Sequence, residues 1–143
     1  MNAESLDAPI LVVEDNPADL DLTCRAFAGR HLANPIQVAR DGEEALAFLP
    51  RWEAGERRPV VILLDLKLPR VDGLEVLRQL KAHERFRSIP VVVLTSSRED
   101  ADVSDAYRLG ANSYIVKPLE FDTFTDVVEQ IELYWCVLNE SPE

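Results

Sequence analysis

The amino-acid sequence predicts an α/β protein, a three-layer sandwich in which a central five-stranded parallel sheet carries helices on both faces. Short continuous apolar runs recur five times in 143 residues, and amphipathic stretches at helical spacing separate them. The runs are near-continuously hydrophobic rather than alternating, the mark of strands covered on both faces. Several stop abruptly at a charged or hydroxyl residue, and the carboxyl ends of such strands are where open α/β sheets bind ligands. The plainest case is Val60-Val61-Ile62-Leu63-Leu64, which delivers Asp65 and is closed by Pro69. An isolated acid in that place is more often a turn or capping residue, so its meaning depends on how the other runs end.

Taken in order, Pro9 and the apolar Ile10-Leu11-Val12-Val13 form the first strand, ending in Glu14-Asp15-Asn16-Pro17. Asn16 and Pro17 suit a helix start, and residues 18–30 then place Leu22, Ala26 and Phe27 on one face. Capping at the positive end of a helix dipole is an alternative use for Glu14 and Asp15. Residues 35–39 read as the second strand, followed by a helix with Ala45, Leu46, Phe48 and Leu49 on its apolar side. The polar stretch 50–59, with Gly55 and a proline at each end, reads as a long surface connection. After Asp65 comes a turn at Val71-Asp72-Gly73 and a helix over 74–84 with Leu74, Leu77 and Leu80. A fourth strand over 89–94 stops at Thr95-Ser96-Ser97, and a helix over 99–109 ends at Gly110, a natural C′ residue. The fifth strand, 112–116, closes on Lys117-Pro118, and residues 120–139 read as one long final helix.

The length fits a single domain over 1–143, with its core expected over about 8–139. No run approaches the roughly 20 apolar residues of a membrane span, and the first residues lack the basic and apolar regions of a signal peptide. A cytoplasmic location is expected. Twenty-six acidic against 15 basic residues give a net charge of −11, which opposes binding to nucleic acid or an anionic membrane. Cys24 and Cys136 are expected to be packing residues, and His31 and His83 to lie at surfaces or helix ends, without metal-ligand spacing.

A parallel sheet brings Glu14-Asp15, Asp65, Thr95 and Lys117 to one edge. Three carboxylates there would repel one another unless a cation sits among them. A hard divalent ion with oxygen ligands, most simply Mg²⁺, meets that need. Lys117 adds a second positive charge and Thr95 a hydroxyl donor, so the set suits a phosphoryl group with its three outer oxygens.

These residues resemble the receiver domain of two-component response regulators, the family of the chemotaxis protein CheY, and the likeness runs from Ile10 to Leu138. It implies a flavodoxin/CheY-like (βα)5 fold and a protein that accepts a phosphoryl group on Asp65 from a sensor histidine kinase. It further implies that Glu14, Asp15, Asp65 and the main-chain carbonyl of Lys67 hold Mg²⁺, that Thr95 and Tyr114 form the switch, and that Lys117 is the family's invariant lysine, joined to Pro118 by a cis peptide. Many receivers carry two aspartates where this chain has Glu14-Asp15, so the longer arm is expected to reach a metal through water or at a shifted angle.

The long link before the Asp65 strand and the late Tyr134-Trp135 pair are also similar to stand-alone regulators partnered with bacterial and cyanobacterial phytochrome kinases. Along the last helix Phe124, Val128, Ile131, Trp135 and Leu138 suffice to cover the sheet. Val127, Leu133, Tyr134 and Val137 lie off that stripe, which predicts a homodimer through this region. Three other functions are weighed. A phosphatase of the haloacid-dehalogenase type would need an acid two residues after Asp65, where Lys67 stands; a nucleotide-binding module would need a Gly-rich loop that is missing; a non-phosphorylated adaptor would have little use for Asp65, Thr95 and Lys117 together.

Overall fold

The structure, a computed structural model, describes residues 7–28 and 34–142. Its strands are β1 (Ile10–Val13), β2 (Ile36–Ala39), β3 (Val61–Leu64), β4 (Val91–Thr95) and β5 (Ser113–Val116). The helices are α1 (Pro17–Ala28), α2 (Gly42–Leu46), α3 (Phe48–Glu53), α4 (Gly73–Ala82), α5 (Asp100–Arg108) and α6 (Phe121–Glu132), the last continuing as a π-helical segment, Leu133–Leu138. All strand pairs are parallel, in the order β2-β1-β3-β4-β5. The expected five-stranded three-layer architecture is therefore present.

The uninterrupted apolar runs have a simple packing reason. Along β1, β3 and β4 successive side chains alternate between two cores, so both kinds of position must be apolar. Leu11, Val13, Ile62, Leu64, Val91 and Val93 face Ala45, Phe48, Trp52, Val76, Leu77 and Leu80 of α2, α3 and α4. Ile10, Val12, Val61, Leu63, Val92 and Leu94 face Leu20 and Phe27 of α1 and Phe124, Val128 and Ile131 of α6. Because β2 lies on one side of β1 and β3 on the other, the connections diverge above the β1–β3 gap, and such a switch point leaves a crevice at the carboxyl edge.

The stretch 50–59 is not a plain surface link. Its first part belongs to α3, where Pro50 sits in the first turn and its missing N–H costs no helical bond. Trp52 is fully buried, 5.9 Å from the Phe48 ring and 5.5 Å from Phe86. A proline and five charged neighbours hid one core side chain.

The final helix also differs from expectation. Phe124, Val128 and Ile131 are buried as the stripe requires, but the next buried apolar residue is Cys136, while Trp135 is half-buried and Leu138 is 59% exposed. The physical reason is the π-helical segment, whose wider turn replaces an i+4 step from Ile131 by an i+5 step. Cys24 is half-buried and neither cysteine is in a disulfide. His83 caps the C-terminus of α4 and stacks on Phe86 at 4.5 Å, a helix-end position as expected; His31 lies outside the described residues. Among the described residues no helix is long and apolar enough to cross a membrane.

Candidate functional site

Glu14, Asp65 and Lys117 are each the first residue past a strand, Thr95 is the last of β4, and the amides of the first three still bond to a neighbouring strand. Glu14 N–H donates to the Ala39 carbonyl at 3.0 Å, Asp65 N–H to Val13 at 3.0 Å, and Lys117 N–H to Thr95 at 2.8 Å. The functional side chains are thus fixed by the rigid sheet rather than by mobile loops. The loop after β3 is fixed too, by two helix-starting glycines against which it packs. A Cβ on Gly73 would lie 2.3 Å from the Asp65 carbonyl oxygen, and one on Gly42 would run into the Val71 carbonyl.

The side chains converge as the sequence predicts. The Lys117 ammonium donates to Glu14 Oε1 at 2.5 Å and to Asp65 Oδ2 at 2.9 Å. Asp65 Oδ1 accepts from the Thr95 hydroxyl at 2.8 Å and from the Lys67 amide at 3.1 Å. Glu14, Asp65, Thr95 and Lys117 are all buried, whereas Asp15 is exposed. Glu14, Asp15 and Asp65 each offer a carboxylate oxygen within 4.8 Å of the others.

The longer arm of Glu14 has a use that the sequence does not disclose: it reaches Lys117 directly, while its second oxygen accepts from the Asn16 amide at 3.1 Å. A fourth acid, Asp19, was also missed. Its carboxylate takes the third Lys117 bond at 2.9 Å. The signal lay in the spacing Asn16-x-x-Asp19: Asn16 Oδ1 accepts from the Asp19 amide at 3.0 Å, and helical side chains lean back toward the N-terminus, here toward Glu14.

The charges are unequal in their comfort. Burial pushes the Glu14 carboxyl up to about 7, against the opposing bond from Lys117. Burial also works against the Asp65 charge, but Lys117, Thr95 and the Lys67 amide together hold its carboxyl below the usual aspartate range. Lys117 stays protonated, since its three carboxylate bonds outweigh its own burial. Asp65 is therefore the carboxylate that its partners favour in the ionised form, and four acids, Glu14, Asp15, Asp19 and Asp65, gather around one ammonium. An all-oxygen donor set with excess negative charge fits a hard divalent cation.

Tyr114 is half-buried, and its hydroxyl donates to the Ser97 carbonyl at 3.0 Å. The Lys117–Pro118 bond, expected cis, is trans, as are all peptide bonds among the described residues. Trans is the lower-energy X–Pro isomer by about 0.5–1 kcal/mol, and with trans geometry Lys117 already makes its backbone and carboxylate bonds. Beside Asp15 opens a cleft of about 500 Å³ lined by Leu66, Lys67, Leu68, Asp72 and Asp102, giving access to the acid cluster from solvent.

Residues 10–129 match the family model described as the response regulator receiver domain. Among curated relatives, the probable methanogenesis regulatory protein FilR2 of Methanothrix harundinacea is 49% identical over 93% of this chain and 86% of its own length. The crystal structure of the phosphorylated cyanobacterial phytochrome response regulator RcpA superposes with a TM-score of 0.90 at 37% identity, covering 96% of this chain and 99% of that one. The Mn²⁺-bound form of response regulator Rcp1 follows at a TM-score of 0.87 and 37% identity, with 95% and 99% covered. With the family's fold, its acid cluster and these matches in agreement, the chain belongs to the response regulator receiver domain family.

Proposed function

We propose that this receiver takes a phosphoryl group onto Asp65 from a phosphohistidine of a sensor kinase. The observation that carries the reading is the division of labour on one carboxylate. Lys117 and Thr95 hold its two oxygens, and an open cleft lies beside the acid cluster. An Asp65 oxygen attacks phosphorus, the phosphorus–nitrogen bond breaks, and the imidazole leaves with its electron pair. Glu14, Asp15, Asp65 and the main-chain carbonyl of Lys67 would hold Mg²⁺, which supplies charge neutralisation for the transferring oxygens. That the relative Rcp1 has a Mn²⁺-bound form supports binding of a divalent ion.

Thr95 already donates to Asp65, so on phosphorylation its hydroxyl turns to a phosphoryl oxygen and draws the 96–99 loop with it. That loop carries the carbonyl that holds the Tyr114 hydroxyl, so Tyr114 is released and can turn inward. The output is a change in surface shape, a two-state element biased by one modification. Such a protein is a cytoplasmic signalling component rather than an enzyme with a separate substrate. A phytochrome-type kinase is the donor favoured by the RcpA likeness. The phosphatase alternative is disfavoured because the residue two positions after Asp65 is a lysine whose ammonium pairs with Asp102 at 3.4 Å.

Incubating the chain with Mg²⁺ and acetyl phosphate, then weighing it intact, should show one added phosphoryl group in the wild type and none in Asp65→Asn. Addition to both proteins, or to neither, rejects the assignment.

We further propose a homodimer through the end of α6. Tyr134 is 50% exposed and stands edge-on to Trp135 at 4.9 Å, with Leu133 and Leu138 also exposed. Val127 and Trp135, half-buried against the core, border the same groove as Tyr134 and Ile115. Sedimentation of Tyr134→Glu should give monomers where the wild type gives dimers; a wild type that stays monomeric at high concentration disposes of the dimer.

A further inference from the structure

The net charge of −11 is not spread evenly along the chain. Residues 51–58 and 81–88 hold six of the 15 basic residues, Arg51, Arg57, Arg58, Lys81, Arg85 and Arg87, but only three of the 26 acids, Glu53, Glu56 and Glu84. The two segments lie side by side in the fold: the Arg58 guanidinium crosses between them, donating to the Arg85 carbonyl at 2.8 Å and to the Ser88 hydroxyl at 3.3 Å. They close α3 and α4 and lead toward β3 and β4, so they sit at the amino edge of the sheet, opposite the edge that carries Asp65 and Lys117. Between them opens a cleft of about 470 Å³, lined by Trp52, Gly55, Glu56, Arg58, Arg85 and Phe86, with Glu84 beside them.

Part of this charge is engaged within the chain. Arg51 pairs with Glu56 at 2.7 Å and Arg57 with Asp7 at 2.7 Å, while Glu53 lies 3.4 Å from the His83 ring, so Glu84 is the acid left to oppose an incoming anion. Arg85 and Arg87 are exposed and are in no ion pair among the described residues. The Arg85 guanidinium lies 5.1 Å from the centre of the Phe86 ring, and Phe86 is itself fixed against Trp52 at 5.5 Å. A guanidinium stacked on a rigid ring loses little freedom when it pairs, and its fork takes both oxygens of a carboxylate. We propose that this cleft docks an acidic segment of a partner protein, with Arg85 and Arg87 pairing its carboxylates. The size of the patch selects that occupant. At physiological ionic strength exposed charges act over about 8 Å, so a short run of Asp or Glu feels the two arginines alone. A nucleic-acid duplex or an anionic bilayer is an extended polyanion, which must also lie against the acidic remainder of the chain. Docking here leaves the Asp65 edge open and does not depend on phosphorylation.

The test titrates fluorescein-labelled hexaglutamate with the full chain and reads fluorescence anisotropy. The wild type should bind the peptide saturably at low salt and about tenfold more weakly when the salt is raised tenfold, as pairing between exposed charges requires. Arg85→Glu should lose about tenfold in affinity. Arg40→Glu makes the same change of net charge at an exposed position just after β2, at the opposite edge of the sheet, and should stay within about twofold of the wild type. No saturable binding by the wild type, no loss in Arg85→Glu, or an equal loss in both variants overturns the proposal, the last because net charge alone would then drive binding. Tighter binding of a DNA duplex or of phosphatidylglycerol vesicles than of hexaglutamate, lost in Arg85→Glu, overturns the choice of occupant. Asp65→Asn should bind the peptide as the wild type does, so this result stands apart from the acceptor assignment; a changed affinity contradicts a separate site. Melting curves of the two charge-reversed variants exclude misfolding as the cause.

Discussion

Replacing Lys117 with methionine should destabilise the protein by about 3–5 kcal/mol at pH 8, the usual cost of leaving a buried charge cluster without its partner. Glu14, Asp19 and Asp65 share that ammonium, and two of the three are buried with it. The loss should depend on pH with a definite sign. Without the cation, the carboxyls are raised in the folded state above their unfolded values. A raised acid binds protons that the unfolded chain has released, so stability is present at low pH and is lost as pH rises through the folded values. In the wild type burial already brings Glu14 to about 7. The deficit of Lys117→Met should therefore be widest above that pH, and millimolar Mg²⁺ should recover part of it by binding the folded chain only. Urea titrations at pH 5 and pH 8, with and without Mg²⁺, measure this. Equal stability of variant and wild type at pH 8 without metal would contradict the charge balance described.

Gly73→Ala is expected to damage both fold and acceptor. Its methyl group would stand 2.3 Å from the Asp65 carbonyl oxygen and 2.5 Å from the Leu66 Cα, where neither neighbour is a flexible side-chain end. Overpacking of this kind costs about 1–3 kcal/mol, and relief must come from moving Asp65 or the start of α4. Phosphoryl uptake should fall together with stability. Gly55→Ala is the informative contrast: its φ of +104° makes alanine strained, yet nothing lies within 4 Å of the added atom and the site is distant. It should lose about 1–2 kcal/mol and take up phosphate at the wild-type level. Melting curves and acetyl phosphate labelling of the two variants decide whether close approach at Gly73 positions the site.

The sheet was legible because parallel strands with two covered faces have no choice but to read as apolar runs, and because β1, β3 and β5 each release a charged residue at the same edge. Glu14, Asp65, Thr95 and Lys117 thus stand out as one group although they come from four distant segments. What the sequence did not reveal depends on partners that spacing alone cannot supply. Asp19 reads as a helix-start acid until α1 is docked beside Lys117. Trp52 reads as surface until Phe48 and Phe86 close on it. The π-helical end moves the buried position from Trp135 to Cys136, a shift of register that apolar periodicity averages away.

The most direct measurement locates the modification. After charging with acetyl phosphate and Mg²⁺, reduction with borohydride converts an aspartyl phosphate to homoserine, which peptide mass mapping then finds. The account predicts homoserine at residue 65 and nowhere else. Homoserine at residue 15 or 19, or an acid-stable phosphate on a hydroxyl such as that of Ser97, would contradict it.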